Sequence, residues 1–289
     1  MRRIAIATSL REDVNLDPDA SALLDALVDE GVEGSTCVWD DPSVNWNDFE
    51  LTVIRSTWDY TRDRGGFLAW ARAIEHLFNP YSIIEYSTDK HYLRDLDRRG
   101  HRIVPSTYCD VGEEPRFPPV AFVVKPTVGA GSIDAEKYTP QDHQRALAHV
   151  RRLHAGARDA MIQPYVSSID DEGERALVFI DGEFSHAMTK GAMLNTAADA
   201  RDALFRREQM SLASAESDAV TFAEAVLGEE EFRGLLYARV DLVKMPDGWA
   251  IMELELVEPS LFLGYDDRAP HRLARAIATR VDARNSKRE

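Results

Sequence analysis

The sequence predicts an α/β protein: a Rossmann-like layer at the N-terminus followed by α+β units. Three observations carry this. Strand and helix patterns alternate through residues 1–85, as in parallel-sheet units. Beyond them come paired strand patterns joined by turn residues, as in antiparallel hairpins. Finally, 289 residues exceed what one core normally organises, so two or three packed units are expected.

The elements follow in order. "RIAIAT" reads as a buried strand, and its apolar run is too short for a signal peptide or membrane span. "DPDASALLDALVDEGV" has apolar residues at helical spacing and stops at a glycine. "STCVWD" and "LTVIRS" are further strands, and "GGFLAWARAIEHLF" is a helix predicted to run to Asn79-Pro80, where proline ends it. No GxGxxG turn follows the first strand, so the dinucleotide fingerprint is absent. "DKHYLRDLDRRG" and "PQDHQRALAHVRRLHAGA" read as helices, and "FVVKPTVGAGS" as a strand entering a glycine-rich turn. "RALVFIDGEFSHAMTK" is a hairpin about Asp181-Gly182. The stretch 191–212, holding Arg201, Arg206 and Arg207, shows no period and suits a flap. A helix from about Ala213 to Leu227 and a last hairpin complete the pattern.

Composition limits the partners. The chain is 44% hydrophobic and 29% charged, with a net charge of -16. Nucleic acid and anionic membranes require basic patches, so neither is an expected partner. A polyanion such as ATP can bind only through local lysines, arginines and added cations. Cys37 and Cys109, the only two cysteines, are too few for a disulfide framework or a zinc site, and a reducing cytoplasm is the expected compartment. The state of oligomerisation, a homo-oligomer included, stays open.

The densest chemistry is in "LLYARVDLVKMPDGWAIMELELVEP". A three-residue loop at "PDG" pairs Met245 with Trp249, which sets Asp241 opposite Glu253 and Arg239 opposite Glu255. These four then share one face, while Val240, Leu242, Met252, Leu254 and Leu256 face the core. Clustered carboxylates need cations to stay ionised. Mg²⁺ with phosphates is one answer, and cross-strand charge pairs such as Arg239 to Glu255 are the other. Lys125 and the turn Gly129, Gly131, Ser132 could meet a phosphate with side-chain charge and backbone N–H groups, although the same turn could simply join two strands. At the tip of "LTVI", the residues Arg55, Ser56 and Asp59 could touch a substrate, since ligands gather at the carboxyl ends of such strands. Alternatively, Trp58 and Tyr60 pack an interface and Arg55 pairs with Asp59.

"DKHYL", "VVKPTVGAGS", "IQPYV", "ARVDLV" and "MELELVEP" stand in the order and approximate spacing of the ATP-grasp superfamily. The chain resembles that family from about Ser82 to Leu263. The resemblance implies an N-terminal domain over 1–85, a first ATP-grasp subdomain over 86–160 and a second over 161–289, the last two clamping ATP. Lys90 and Lys125 look like the phosphate lysines, and Gly129 to Ser132 like the loop over them. Gln163, Tyr165 and Val166 look like the adenine linker, with Glu174 at the ribose. Lys190 adds a positive contact, and Arg239 looks like the arginine that steadies the transferred phosphoryl group. Asp241, Glu253 and Glu255 look like the ligands of Mg²⁺, two ions being implied. Gln163 and Glu255 depart from the Glu and Asn many members carry, and "VEPS" replaces the usual Asn-Pro, which leaves contacts from Glu258 and Ser260 open.

The implied activity is ATP-dependent carbon–nitrogen ligation, with a small carboxylate activated as an acyl phosphate and attacked by an amine. "RSTWDY", "NPYSIIEYSTDKHYL" and "GEFSHAMTK" look most like the small-ligase subgroup that includes the O-ureido-serine cyclo-ligase of cycloserine biosynthesis, in which the attack is intramolecular. His186 could accept the amine proton or be structural. An intermolecular amino acid ligase, a non-catalytic nucleotide-binding regulator and a two-metal hydrolase are the competing readings.

Overall fold

The computed structural model describes residues 2–9, 17–191 and 210–286. The predicted flap, with Arg201, Arg206 and Arg207, lies mostly outside the described residues; Met210–Ala213 is described and forms a strand.

The first sheet contains β1 (Arg2–Thr8), β2 (Val32–Val38), β3 (Leu51–Ser56) and β4 (Leu77–Phe78), with α1 (Ala20–Asp29) after β1 and α2 (Arg64–Ala73) after β3. Its order is β2-β1-β3-β4, all parallel, as the strand–helix alternation predicts. The predicted long helix is corrected here. It stops at Ala73, Ile74 turns extended, and Leu77 pairs with Thr52 as the edge strand. Sheet pairing overrides local helical periodicity. Asn79 then ties this layer to the rest: its side chain donates to Tyr237 O and Leu256 O at 2.9 and 2.6 Å and accepts from Leu236 N at 2.8 Å.

Two short helices, α3 (Tyr81–Ser87) and α4 (Tyr92–Arg98), lead into the second sheet. This sheet holds β5 (Thr107–Cys109), β6 (Phe122–Pro126), β7 (Glu136–Tyr138) and, after α5 (His143–Ala155), β8 (Ala160–Pro164), in the order β5-β8-β6-β7. Phe122, Val124 and Ile162 face Val150 and Leu153 of α5, which gives this unit its own core. The predicted division between residues 160 and 161 falls inside β8.

After α6 (Ser168–Glu172), the third sheet contains β9 (Glu174–Ile180), β10 (Glu183–Lys190), β11 (Met210–Ala213), and, beyond α7 (Ser217–Leu227), β12 (Tyr237–Met245) and β13 (Gly248–Glu255). It is antiparallel throughout, ordered β11-β10-β9-β12-β13. The Asp181-Gly182 hairpin forms, with Glu183 opposite Ile180.

The last hairpin differs from its predicted turn yet keeps the predicted pairs. Met245 pairs with Gly248 around a two-residue loop, and a bulge leaves Met252 unpaired between the Leu242–Ile251 and Asp241–Glu253 pairs. That extra residue reverses which side chains face the core. Trp249 and Ile251 pack with Leu254 and Leu256 in one cluster, while Glu253 and Glu255 turn to the opposite side. Met252 is the correction: it leaves the Leu254–Leu256 side, lines the cavity and packs half-buried against the small cluster of Val104, Ile169, Val243 and Ala250.

A closing helix, α8 (Ala269–Asn285), is absent from the sequence-based expectation. Its Leu273, Ile277 and Val281 pack beside Leu23 and Leu27 of α1 and Val178 of β9. Each such burial is worth roughly 1.5–3 kcal/mol, so α8 is a major bond between the first and third sheets. Among the described residues no helix is long and apolar enough to cross a membrane.

Candidate active site

A cavity of about 980 Å³ opens between the second and third sheets, with Pro18, Trp58 and Tyr60 of the N-terminal layer at one end. Most of the predicted site residues line it. Lys125, on β6, and the turn Gly129, Gly131 and Ser132, which joins β6 to β7, form one wall. Gly131 takes a φ of +60°, which glycine adopts without steric cost, and Ser132 also takes a positive φ of 57°. Lys90 reaches in from just before α4 and donates to Gly129 O at 2.7 Å, so one lysine pins the turn. Gln163, Tyr165 and Val166, at the end of β8, form the far wall with Glu174, and Gln163 Nε2 donates to Ser106 Oγ at 2.8 Å.

The floor is the β12–β13 face, and each predicted acid there already has a cation. Lys125 Nζ lies 2.7 Å from Glu253 Oε1. Lys190 Nζ sits between Glu174 at 3.0 Å and Asp241 Oδ2 at 2.5 Å. Arg239 donates through Nε and Nη2 to the two oxygens of Asp241 at 2.9 and 3.0 Å, through Nη1 to Ser260 O at 3.0 Å, and also to Glu255. The predicted cross-strand pairing of Arg239 with Glu255 is formed, and Asp241 stands opposite Glu253 as the sequence predicts.

The electrostatics follow from these contacts. Burial works against the charge of Glu253, but Lys125 and Lys90 outweigh it and hold the carboxyl well below its ordinary range. Asp241 is completely buried, and Arg239 and Lys190 likewise keep its pKa low. Glu255 goes the other way: burial raises it to about 7 despite Arg239, with Asp241 adding to the rise. Glu258 is raised to about 8 by burial and then by the charge of Glu255.

Five predicted residues do not line this cavity. Asp241 lies beneath the floor. Arg55 is 1% exposed, with Nη2 at 3.3 Å from Asp19 and Nε at 3.7 Å from Asp17, and lies over the Tyr237 ring. It is thus neither at the cavity wall nor paired with Asp59. Ser56 is buried against Thr8, Oγ to Oγ1 at 2.6 Å. Asp59 accepts from Trp39 Nε1 at 2.8 Å and faces a separate hollow beside Trp39, Trp46 and Trp70. His186 is 5% exposed, bridged by Ser185 Oγ and Leu261 O at 2.9 Å each; burial lowers its pKa, which suits a neutral structural ring. The strand-tip argument selected the right loop but the wrong side chains: Trp58 and Tyr60 of the same stretch reach the cavity. Two further wall residues, Tyr92 and Phe262, had no assignment from sequence. The Tyr92 hydroxyl accepts from Leu254 N at 2.8 Å and so fixes β13 beside Glu253.

The residues fit a metal nucleotide. Among the described residues no three His, Cys, Asp or Glu side chains form a metal cage. Mg²⁺ does not require one: it is usually held by one or two carboxylates together with substrate phosphates. Glu253 and Glu255 offer hard oxygens at the cavity wall, with Lys90, Lys125 and Lys190 within the same space for phosphate charge.

Comparison with known proteins gives the same fold. Residues 4–79 match the family described as "D-cycloserine synthetase DcsG, N-terminal domain". Over 290 aligned residues the chain is 35% identical to the cycloserine biosynthesis protein DcsG of Streptomyces lavendulae, covering 92% of this chain and 95% of that protein. The crystal structure of D-cycloserine synthetase DcsG superimposes with a TM-score of 0.85 at 32% identity, covering 96% of this chain and 99% of that one. The D-alanine–D-alanine ligase of Bacillus anthracis, solved with ATP, shares the fold with a TM-score of 0.67 at 14% identity, covering 99% of this chain and 100% of the other. The chain belongs to the DcsG family of ATP-grasp enzymes and is an ATP-dependent carbon–nitrogen ligase.

Proposed function

We propose that this ligase uses ATP to close O-ureido-serine into a ring on the route to cycloserine. The observation that carries the ATP site is the gathering of Lys90, Lys125, Lys190 and Arg239 around a glycine-turn cavity in an otherwise strongly acidic chain. The substrate is supported by the 35% identity to DcsG over nearly the full chain. The same likeness disfavours a non-catalytic regulator, a hydrolase or an intermolecular ligase. The domain reading is kept with one change: the three sheets are the three units, and β8 belongs with the first ATP-grasp subdomain.

In this reading Gln163, Tyr165 and Val166 border adenine and Glu174 meets the ribose. Lys90, Lys125, Lys190 and the Gly129–Ser132 turn take the phosphates. Glu253 and Glu255 would ligate Mg²⁺, two ions being what the resemblance implies, and Asp241 would be a third ligand with Lys190 turned to the phosphates. Bound there, Mg²⁺ supplies neutralisation of phosphate charge. The lysines, now paired with acids, turn to the phosphates, and the acids are released for the metal. Arg239 stays between the two and stabilises charge on the transferring group.

The chemistry is then two displacements. A substrate carboxylate oxygen attacks the γ-phosphorus, the bond to ADP breaks, and an acyl phosphate forms. The nitrogen bonded to the side-chain oxygen attacks the acyl carbon, inorganic phosphate leaves, and the nitrogen loses a proton. Hydrolysis of the remaining carbamoyl group to carbon dioxide and ammonia completes cycloserine. Holding nucleophile and acyl carbon in one molecule makes the second displacement unimolecular, so positioning can supply much of the rate.

The test is ADP release with ATP, Mg²⁺ and O-ureido-serine, with product mass measured alongside. We expect ADP formation that depends on this substrate and matches ring product. Turnover with pairs of simple amino acids and none with O-ureido-serine would overturn cyclisation and favour the intermolecular reading.

A further inference from the structure

Four acidic side chains line the cavity: Glu174, Glu253, Glu255 and Glu258. Three have cations, in Lys190, Lys125 and Arg239. Among the described residues no basic side chain pairs with Glu258. It is held in place regardless. Trp58 Nε1 donates to its backbone oxygen at 2.9 Å, which locks the segment after β13 to the N-terminal layer.

Tyr60 stands on the same short 3₁₀ turn as Trp58, Trp58–Arg62. It is 3% exposed and lines the cavity, and its hydroxyl makes no hydrogen bond among the described residues. Burial keeps the phenol un-ionised, and the strongest charge acting on it is that of Glu258. A carboxyl without an ion-pair partner, whose one hydrogen bond comes from its own backbone N–H, and a phenol without a hydrogen bond thus line the same cavity, on segments that the Trp58–Glu258 contact ties together. A carboxyl and a hydroxyl that face a cavity without a cation or donor opposite them offer acceptor oxygens to a ligand that supplies N–H groups.

We propose that Glu258 and Tyr60 form the subsite for the substrate's α-ammonium group, which makes an α-amino acid, and not merely a carboxylate, the class of acceptor. This rests on the ligase reading above and assigns that reading's substrate a second anchor. Glu258 accepts the ammonium's hydrogen bonds, and the Tyr60 hydroxyl accepts a further one. The carboxylate next to the ammonium is thereby directed back toward Arg239, one Cα away. Trp58 is the positioning residue, since it acts only through the Glu258 backbone.

The test compares O-ureido-serine with its des-amino analogue, 3-(ureidooxy)propanoate, in the wild-type enzyme, Glu258→Gln and Tyr60→Phe. The wild type is expected to favour the amino substrate, and Glu258→Gln to raise its KM about 10–100-fold, the range of a lost charge-assisted hydrogen bond. Tyr60→Phe is expected to raise it about 3–10-fold, the range of a neutral one. Neither change should alter the KM for the des-amino analogue or the thermal shift given by ATP with Mg²⁺, which also shows that the variants fold. An equal loss for both substrates, or an unchanged KM for O-ureido-serine in Glu258→Gln, overturns the subsite and leaves the ligase reading standing. If O-ureido-serine and other amino acids fail to stimulate ATP turnover in the wild type, the ligase reading falls and the subsite falls with it.

Discussion

Glu253→Gln is expected to lower substrate-dependent ADP release by about 10³-fold while the protein stays folded. Gln keeps the shape of the side chain and one oxygen, so β13 and its pair with Asp241 need not move. It removes the negative charge that Lys125 now neutralises and that a metal would require. A carboxylate ligand supplies charge as well as a donor atom, and an amide supplies only the donor. Turnover is read as ADP released, and folding as the melting temperature without nucleotide, which should change by only a few degrees. Turnover within a few-fold of wild type would remove Glu253 from the metal site.

The second large effect is expected at Arg239, which is 4% exposed and holds Asp241, Glu255 and the Ser260 carbonyl together. Arg239→Met strands Asp241, which is 0% exposed, beside Lys190 alone. Breaking a buried pair from one side typically costs about 3–5 kcal/mol. At about 2–4 °C per kcal/mol for a chain of this size, the melting temperature should fall by roughly 10 °C. Turnover should fall by about 10²–10³-fold, because in the proposed mechanism the guanidinium also stabilises the transferring phosphoryl group. The double variant Arg239→Met with Asp241→Asn should regain much of the stability and none of the turnover. Arg239→Lys keeps the charge without the planar fork, so it should lie between. If Arg239→Met is as stable as wild type, the ion-pair network described here is not what holds the floor.

Much of this was legible in the sequence, and the limits have physical causes. The alternation in "ARVDLV" and "MELEL" fixes a strand face, so the Asp241–Glu253 and Arg239–Glu255 pairs were within reach. The bulge at Met252 was not, because a two-residue loop plus one extra residue gives the same pairs as a three-residue loop. The helix α8 escaped because its inward face is three long apolar residues, Leu273, Ile277 and Val281, set among alanines that add little to a hydrophobic pattern. Strand β4 was hidden because Leu77 and Phe78 extend the helical spacing, and only pairing with Thr52 and Val53 distinguishes them. At the site, residue type and order were enough to place the lysines, the glycine turn, Glu253 and Glu255 around one cavity. Sequence could not show that Asp241 is sealed under Arg239 and Lys190, or that Arg55 turns inward to Asp19, since both depend on which neighbour a long side chain folds against.

The central claim is that the cavity's lysines and acids neutralise each other until metal and nucleotide arrive and exchange partners with both. Binding should then be cooperative, because each ligand frees groups the other needs, and the coupling must be reciprocal. Titration calorimetry with Mg²⁺ alone, with a non-hydrolysable ATP analogue in chelator, and with the two together measures this directly. We expect each alone to bind weakly and each to tighten the other by at least about tenfold, a typical coupling energy of 1–3 kcal/mol. Affinity for the analogue that is the same with and without Mg²⁺ would contradict the exchange.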